Sequence, residues 1–369
     1  MSIPTLEFEK EKPIDKELLD LYSDYLICSF SYTTATGLAG LLDNAIRHDA
    51  ITRFLRARPY TSKDLWQLVK PIIREIENDK GAISFDDTIQ EKPYTDENDI
   101  VAWHFDHSKG RSVKGVNILN CLYYAEKATI PLAFEVVKKD TPYIDVKTGK
   151  KKRKASVTKN ELFRTYVTVC VKNNILFRYI LGDTWFSSKE NMEHALASDK
   201  HFIFALKSNR LVALSKEDKR AGVFKRMEEL NFEENATKRC FLKGIRTPVL
   251  IAKRVFTNKD KSAGILYLAT SDLTLNHTAI TATYHKRWGV EEYHKSLKSN
   301  VGLAKSPTKT AMTQANHFFA SIYAYVKLEL LRMKTSLNHF ALKSKLYLKA
   351  LTKSFQELQE LRSPAVIRA

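Results

Sequence analysis

The hydrophobic period of this chain, helical from the start, first changes after Gly81, and that switch restricts the fold more than any other feature. Over residues 16–78, apolar side chains recur at three- and four-residue spacing in "KELLDLYSDYLICSF", "TTATGLAGLLDNAI", "HDAITRFL" and "TSKDLWQLVKPIIREIE". The spacing predicts four short helices, the last capped by Thr61 or Ser62. Short helices with tight turns fit a helix-turn-helix and a plain helical bundle equally well.

Beyond Gly81 the runs become β-branched and apolar. "AISF" predicts a short strand, with Asp86 or Asp87 at its end. "GVNILNCLYYAE" and "TIPLAFEVV" predict the next two, antiparallel and joined by a turn near Lys127. "DVKTGKKKRKASVTK" reads as a basic loop. "TKNELFRTYVTVCVKNN" reads as a helix capped by Thr158. "LFRYILGD" is a buried strand ending at Asp183, "SSKENMEHALAS" a helix capped by Ser187 or Ser188, and "KHFIFAL" a further strand. Three strands followed by helix, strand, helix and strand predict an α/β core, an antiparallel hairpin layered onto a parallel extension. Residues 207–262 are charged, broken by turn signals, and carry short β-like runs such as "TPVLIAKRVF", after which "AGILYLAT" returns to a strong strand. A long helix is expected from Asn276 through "YHKRWGVEEYHKSLK", with more helix after it, and no repeat is present.

The 369 residues carry 60 Lys and Arg against 42 Asp and Glu, a net charge of +18, which predicts attraction to a polyanion, most often nucleic acid. Cys28, Cys121, Cys170 and Cys240 have no metal-knuckle spacing, lie in apolar surroundings and read as buried thiols of a reducing cytosol. No stretch is long and apolar enough for a membrane span. The N-terminus, "MSIPTLEFEKEKPIDKE", is acidic and unlike a signal peptide.

Three acids stand out by position: Asp86 or Asp87, Asp183, and Glu291. Phosphate loops, dinucleotide loops and zinc-protease motifs are missing from the sequence. On a continuous helix, Tyr284, Arg287, Glu291 and Lys298 fall within an arc of about 60°. Lys295 and Trp288 extend that face, while Val290, Tyr293 and Leu297 form an apolar back. Glu292 falls roughly 80° from Tyr284, off the stripe. The same pattern also fits an ordinary amphipathic helix in which Arg287 and Glu291 form a solvated pair. His104, His107, His285 and His294 read as surface or structural residues, with no metal triad in their spacing.

Tyr284, Arg287, Glu291 and Lys298 form Y-(2)-R-(3)-E-(6)-K. This resembles the signature of the insertion-sequence 4 family of bacterial DDE transposases. "FDDT", "LGDTWF" and "DHSKGRSVKGVNILN" resemble further motifs of that family, in order over roughly residues 80–335. The resemblance implies an RNase H-like mixed sheet flanked by helices, with a β-rich insertion between the second Asp and the Glu. It implies that Asp86, Asp183 and Glu291 are catalytic and bind two divalent cations, normally Mg²⁺ and alternatively Mn²⁺, about 3.5–4 Å apart. Asp86-Asp87-Thr88 fits an Asp-x-Ser/Thr pattern with Asp86 as ligand, and strand alternation favours it too. Asp87 would then be a turn residue or stand behind the ligand. Tyr284, Arg287 and Lys298 would contact DNA phosphates, with Lys295, Lys109, Arg111 and Lys114 as further candidate contacts. Trp185 reads as a core residue, and base stacking is its alternative.

The expected organisation is a helical DNA-binding region (1–79), a catalytic core in two parts (80–206 and 271–335), a β-rich insertion (207–270) and a C-terminal helical region for dimerisation (336–369). The expected activity is cut-and-paste transposition on double-stranded DNA, terminal inverted repeats and target alike, by a homodimer in a bacterial cytoplasm. A nuclease without strand transfer and a non-catalytic DNA-binding descendant are the alternatives.

Overall fold

The computed structural model describes residues 13–107, 109–126, 128–233, 235–257 and 261–362. Most of the acidic N-terminal segment (residues 1–12) and Lys127, at the expected turn, lie outside them. The chain forms two compact units, one of residues 65–295 and one of the residues before and after that span.

The unit formed by the two ends of the chain is helical. It holds α1 (Lys16–Cys28), α2 (Ala35–Leu41) and α3 (His48–Arg56). Asp15 caps α1 by accepting the Leu18 N–H at 3.0 Å, satisfying one of the amides a helix start leaves open. Asp43 and Asn44 make the turn between α2 and α3 at φ 50° and 61°, a region short polar side chains tolerate. The remaining helices of this unit, at Ala311–Thr335 and His339–Arg362, come late in the chain. The first of them has buried residues on nearly every side. Its Asn316 accepts from the Tyr60 N–H and donates to the Leu55 and Arg58 carbonyls, and its His317 meets the Tyr22 hydroxyl at 3.0 Å. Cys28 is exposed, unlike the other three cysteines and against the expectation that all four are buried. It ends α1, and the face holding Leu19, Tyr22 and Leu26 turns away from it.

The helix α4 (Ser62–Ile76) leads into the larger unit. There follow β1 (Ala82–Glu91), β2 (Ala102–Asp106), β3 (Arg111–Tyr124), β4 (Thr129–Val136), β5 (Thr141–Ile144), β6 (Lys151–Lys154), α5 (Lys159–Lys172), β7 (Tyr179–Gly182), α6 (Lys189–Ala197) and β8 (His201–Leu206). The segment after β8 holds β9 (Leu211–Ala213), α7 (Lys216–Ala221), β10 (Lys225–Arg226), β11 (Thr237–Leu242), β12 (Val249–Thr257) and β13 (Ala263–Thr270). The chain ends with α8 (His277–His285), α9 (Trp288–Ser299) and the two late helices above, α10 and α11.

β1 is the hub of the sheet. It pairs antiparallel with β3 and parallel with β7, and β7 pairs parallel with β8. β3 carries β4 along its second half and β2 along its first. Antiparallel strands followed by a parallel extension, with α5 and α6 in the crossovers, make the RNase H-like mixed sheet. The later strands continue it as β8–β13–β12–β11–β9–β10, so the β-rich insertion extends the same sheet.

The strands and helices differ from the sequence reading at four further points. β1 does not stop at Asp86, because the long β3 offers it a ladder as far as Gly115. β2 is hidden in the sequence because its exposed Trp103 and Phe105 alternate with buried His104, an inverted pattern at a sheet edge. The basic loop is partly a hairpin, in which β6 pairs with β5 although Lys is a poor strand former. The long helix is broken, with α8 ending at His285 and α9 starting at Trp288. Around the break the amide bonds tighten, as Arg287 N–H reaches the Tyr284 carbonyl and Val290 N–H the Arg287 carbonyl. Gly289 sits there because a Cβ would come 3.0 Å from Tyr124 and from Thr129.

Under β1 and β7 lies an aromatic cluster. Phe85, Phe163 and Phe186 are buried, with ring centres 4.4 Å (Phe85–Phe163) and 5.5 Å (Phe163–Phe186) apart. Phe85 precedes Asp86 and Phe186 follows Asp183 by three residues, so the cluster fixes both backbone segments. Thr158 and Glu161 form a capping box at the start of α5, and Ser188 caps α6. Among the described residues, no helix is long and apolar enough to cross a membrane.

Candidate active site

Strand alternation separates Asp86 from Asp87. Asp87 turns with Phe85 toward α5, where its carboxylate meets Lys159 at 2.7 Å and the Asn117 amide at 2.6 Å. Asp86 turns the other way, toward α9. Its carboxylate stands 3.5 Å from the Arg287 guanidinium, and Arg287 in turn reaches Glu291 at 3.3 Å.

The parallel register pairs Ser84 with Leu181. Asp86 and Asp183 each lie two residues beyond that last pair, and the charge of Asp183 reaches Asp86. β7 ends at Gly182, where a Cβ would come 3.1 Å from Phe186 and 3.2 Å from Phe204. The chain then turns, and Asp183 accepts the amides of Trp185 at 2.9 Å and Phe186 at 3.4 Å. Asp183 is thereby held on the backbone of its own turn.

Ligand atoms of Asp86, Glu291 and His294 lie within 4.8 Å of one another. Asp183 is outside that group of three, though its charge acts on Asp86, Arg287 and Tyr284. His294, a surface or structural residue on sequence grounds, faces the site and is buried. Its three-residue spacing from Glu291, which puts both on one helix face, is the signal for it in the sequence. Asn120, which the sequence reading does not single out, lies opposite Asp86 on β3. Its amide nitrogen bonds the Ile118 carbonyl and His294 Nε2, while its oxygen accepts from the Tyr293 hydroxyl at 3.0 Å. A polar residue inside the apolar run "NILNCLYY" is the clue to it.

Burial, joined by the charges of Glu291, Asp183 and Asp87 and opposed by Arg287, pushes Asp86 up to about 7. The cluster therefore lacks positive charge. Oxygen donors from carboxylates suit Mg²⁺, and an imidazole beside them also suits Mn²⁺. The donor set fits a divalent cation.

The other expected partners lie as follows. Tyr284, on α8, packs its ring against the core, with Arg287 over it at 5.8 Å, and burial pushes its hydroxyl up to about 12. Lys298 is exposed in the last turn of α9. Lys109 and Arg111 pair with Glu91. Trp185 is not a core residue: it is 55% exposed, with Lys159 over its ring at 5.7 Å. The tight turn that bonds its amide to Asp183 swings the indole outward.

Asp86 on β1 and Glu291 on α9 thus meet, with Asp183 after β7 within electrostatic reach. The class of protein, a DDE-type nuclease, comes from the family comparisons. A family model described as DDE superfamily endonuclease matches residues 13–222, more than half of the chain, and the chain belongs to that family. A second, described as transposase DDE domain, matches residues 146–327. The first match covers Asp86 and Asp183, the second Asp183 and Glu291. Among solved structures, the chain is similar to endonuclease V from Bacillus subtilis at 9% identity, over 74% of this chain and 95% of that one, with a TM-score of 0.25. No curated protein matches the chain.

Proposed function

We propose that the protein is a cut-and-paste DNA transposase of the insertion-sequence 4 type. The observation that supports this reading is the meeting of Asp86, Glu291 and His294, with Asp183 at the end of the neighbouring parallel strand acting on Asp86 by its charge. Both family descriptions support an activity on nucleic acid strands.

In this reading Asp86, Asp183 and Glu291 hold Mg²⁺ or Mn²⁺. The cation would supply Lewis acidity and offset charge on the phosphate. Arg287, already forked between two carboxylates, can trade one for a phosphate oxygen. Asn120 holds His294 in place, and Tyr284 supports Arg287 from below. Water attacks the phosphorus at a terminal repeat, the P–O3′ bond breaks, and a 3′-OH and a 5′-phosphate are left. That 3′-OH then attacks a target phosphodiester, and the target's own 3′-oxygen leaves. The helices of residues 1–79 would bind the transposon end; α3 offers the exposed Arg53 and Arg56 for this.

Two ends must be paired, so a homodimer is expected. α11 favours this, because Leu348, Leu351, Phe355 and Leu358 recur at three- and four-residue spacing and are 48–59% exposed. The description of the family as endonucleases keeps one alternative, cleavage without joining. Pre-cut ends incubated with a target plasmid and Mg²⁺ separate the two. Joined product is expected; hydrolysis alone would favour the plain nuclease.

A further inference from the structure

Beside the carboxylates the larger unit has a cavity of about 510 Å³. Its wall begins at Thr184, one residue past Asp183. Lys189 comes from the first turn of α6, Lys207 and Arg210 from the turn after β8, and Lys243 from the segment after β11. Three separate stretches of chain thus bring four cations to one hollow. No Asp or Glu lines it among the described residues. A solvated basic surface normally interleaves both signs, and this wall does not.

The four cations are weakly committed elsewhere. Lys189 stands 3.8 Å from Glu193 across an exposed pair that contributes little. Lys243 lies over the Phe224 ring at 5.6 Å. Arg210 Nε is buried and has no hydrogen-bond partner among the described residues. An unpaired buried guanidinium nitrogen costs stability unless something occupies the site. Burial also lowers Arg210's hold on its proton, and Glu190 opposes that. The start of α6 at Ser188 adds the positive end of a helix dipole, and exposed Trp185 forms the rim.

From this geometry we infer that the cavity is a backbone-phosphate cleft, which takes two or three consecutive phosphates of the DNA strand leaving Asp183. The inference rests on the DNA-cleaving reading above and adds to it where the strand runs. Arg210 would supply the forked contact, with Lys189, Lys207 and Lys243 as point charges. Trp185 offers a base a stacking face at the mouth.

The test is binding of a fluorescent DNA duplex to the full chain in chelator, over a series of salt concentrations. The triple variant Lys207→Ala/Arg210→Ala/Lys243→Ala should bind about tenfold more weakly or worse. The slope of log K against log salt should become shallower by about 2–3, since each phosphate that is no longer neutralised takes about 0.9 from it. Arg210→Lys alone should keep most of the slope. Inorganic phosphate should compete with the wild type at lower concentration than with the triple variant. If the triple variant is unstable, Lys207→Ala and Lys243→Glu singly should each flatten the slope, the latter more. A folded triple variant with unchanged affinity and slope would overturn the cleft. Wild-type protein that fails to cut DNA while the slope still drops would sink the catalytic reading and leave the cleft standing.

Discussion

Arg287 stands 3.5 Å from Asp86, the aspartate that burial and its acidic neighbours push up to about 7. One guanidinium therefore faces more carboxylate charge than it can neutralise. A carboxyl whose native value lies above its unfolded value of about 3.9 keeps its proton in the native state over the window between the two. The native state then binds more protons than the unfolded chain, so stability falls as pH rises from about 4 to about 7. Asp86→Asn removes that loss. In chelator at pH 8 it should stabilise the protein by on the order of 2 kcal/mol, a few degrees in Tm, with no gain near pH 3. Mg²⁺ or Mn²⁺ should raise the wild-type Tm at pH 8 and leave the variant nearly unmoved. Thermal melts at the two pH values check both halves.

His294 lies beside Asp86 and Glu291 and is oriented by Asn120. His294→Ala should weaken Mn²⁺ binding about tenfold or more, and Mg²⁺ binding less, because the softer ion gains more from an imidazole. Asn120→Ala should give a smaller loss of the same kind. Manganese titration followed by electron paramagnetic resonance reads this without any turnover.

The aromatic cluster ties the segment of Asp86 to that of Asp183. Phe163→Ala should cost about 3–5 kcal/mol in chemical denaturation and lower cleavage beyond what the unfolded fraction explains. Phe163→Leu should restore most of the stability.

The stripe on α11 predicts assembly. Leu351→Glu combined with Phe355→Glu should shift the mass in light scattering from two chains to one. Cleavage of a single end should persist while paired-end products vanish. A monomeric wild type would remove the dimer from the account.

Much of this is readable in the sequence, and the exceptions have physical causes. α5, α6, β7 and β8 are legible because caps and apolar runs agree with each other. The ends of β1 are not, because strand length is set by the partner β3, which lies well downstream. The helical wheel assumes one helix from Tyr284 to Lys298. The break at Lys286 and Arg287 invalidates its angles across the join, yet Val290, Tyr293 and Leu297 still form a buried back, since all three lie on α9. Arg287 reaches Glu291 because a tight turn keeps it within one turn of the helix start. His294 and Asn120 escape a sequence reading because each is an ordinary residue type whose meaning comes only from its cross-strand or cross-helix neighbour. Trp185 is misplaced by such a reading because its side is chosen by the Asp183 turn.

The central claim is that Glu291 is a metal-holding residue and its neighbour Glu292 is not. The decisive measurement is Mg²⁺-dependent cleavage of duplex DNA carrying the element's flanking ends, with Glu291→Gln and Glu292→Gln compared side by side. Glu291→Gln should cut at least a thousandfold more slowly, on the order of 4 kcal/mol at the transition state, and still bind the DNA. Glu292→Gln should cut at close to the wild-type rate. Unimpaired cleavage by Glu291→Gln, or equal loss in both, would contradict the account.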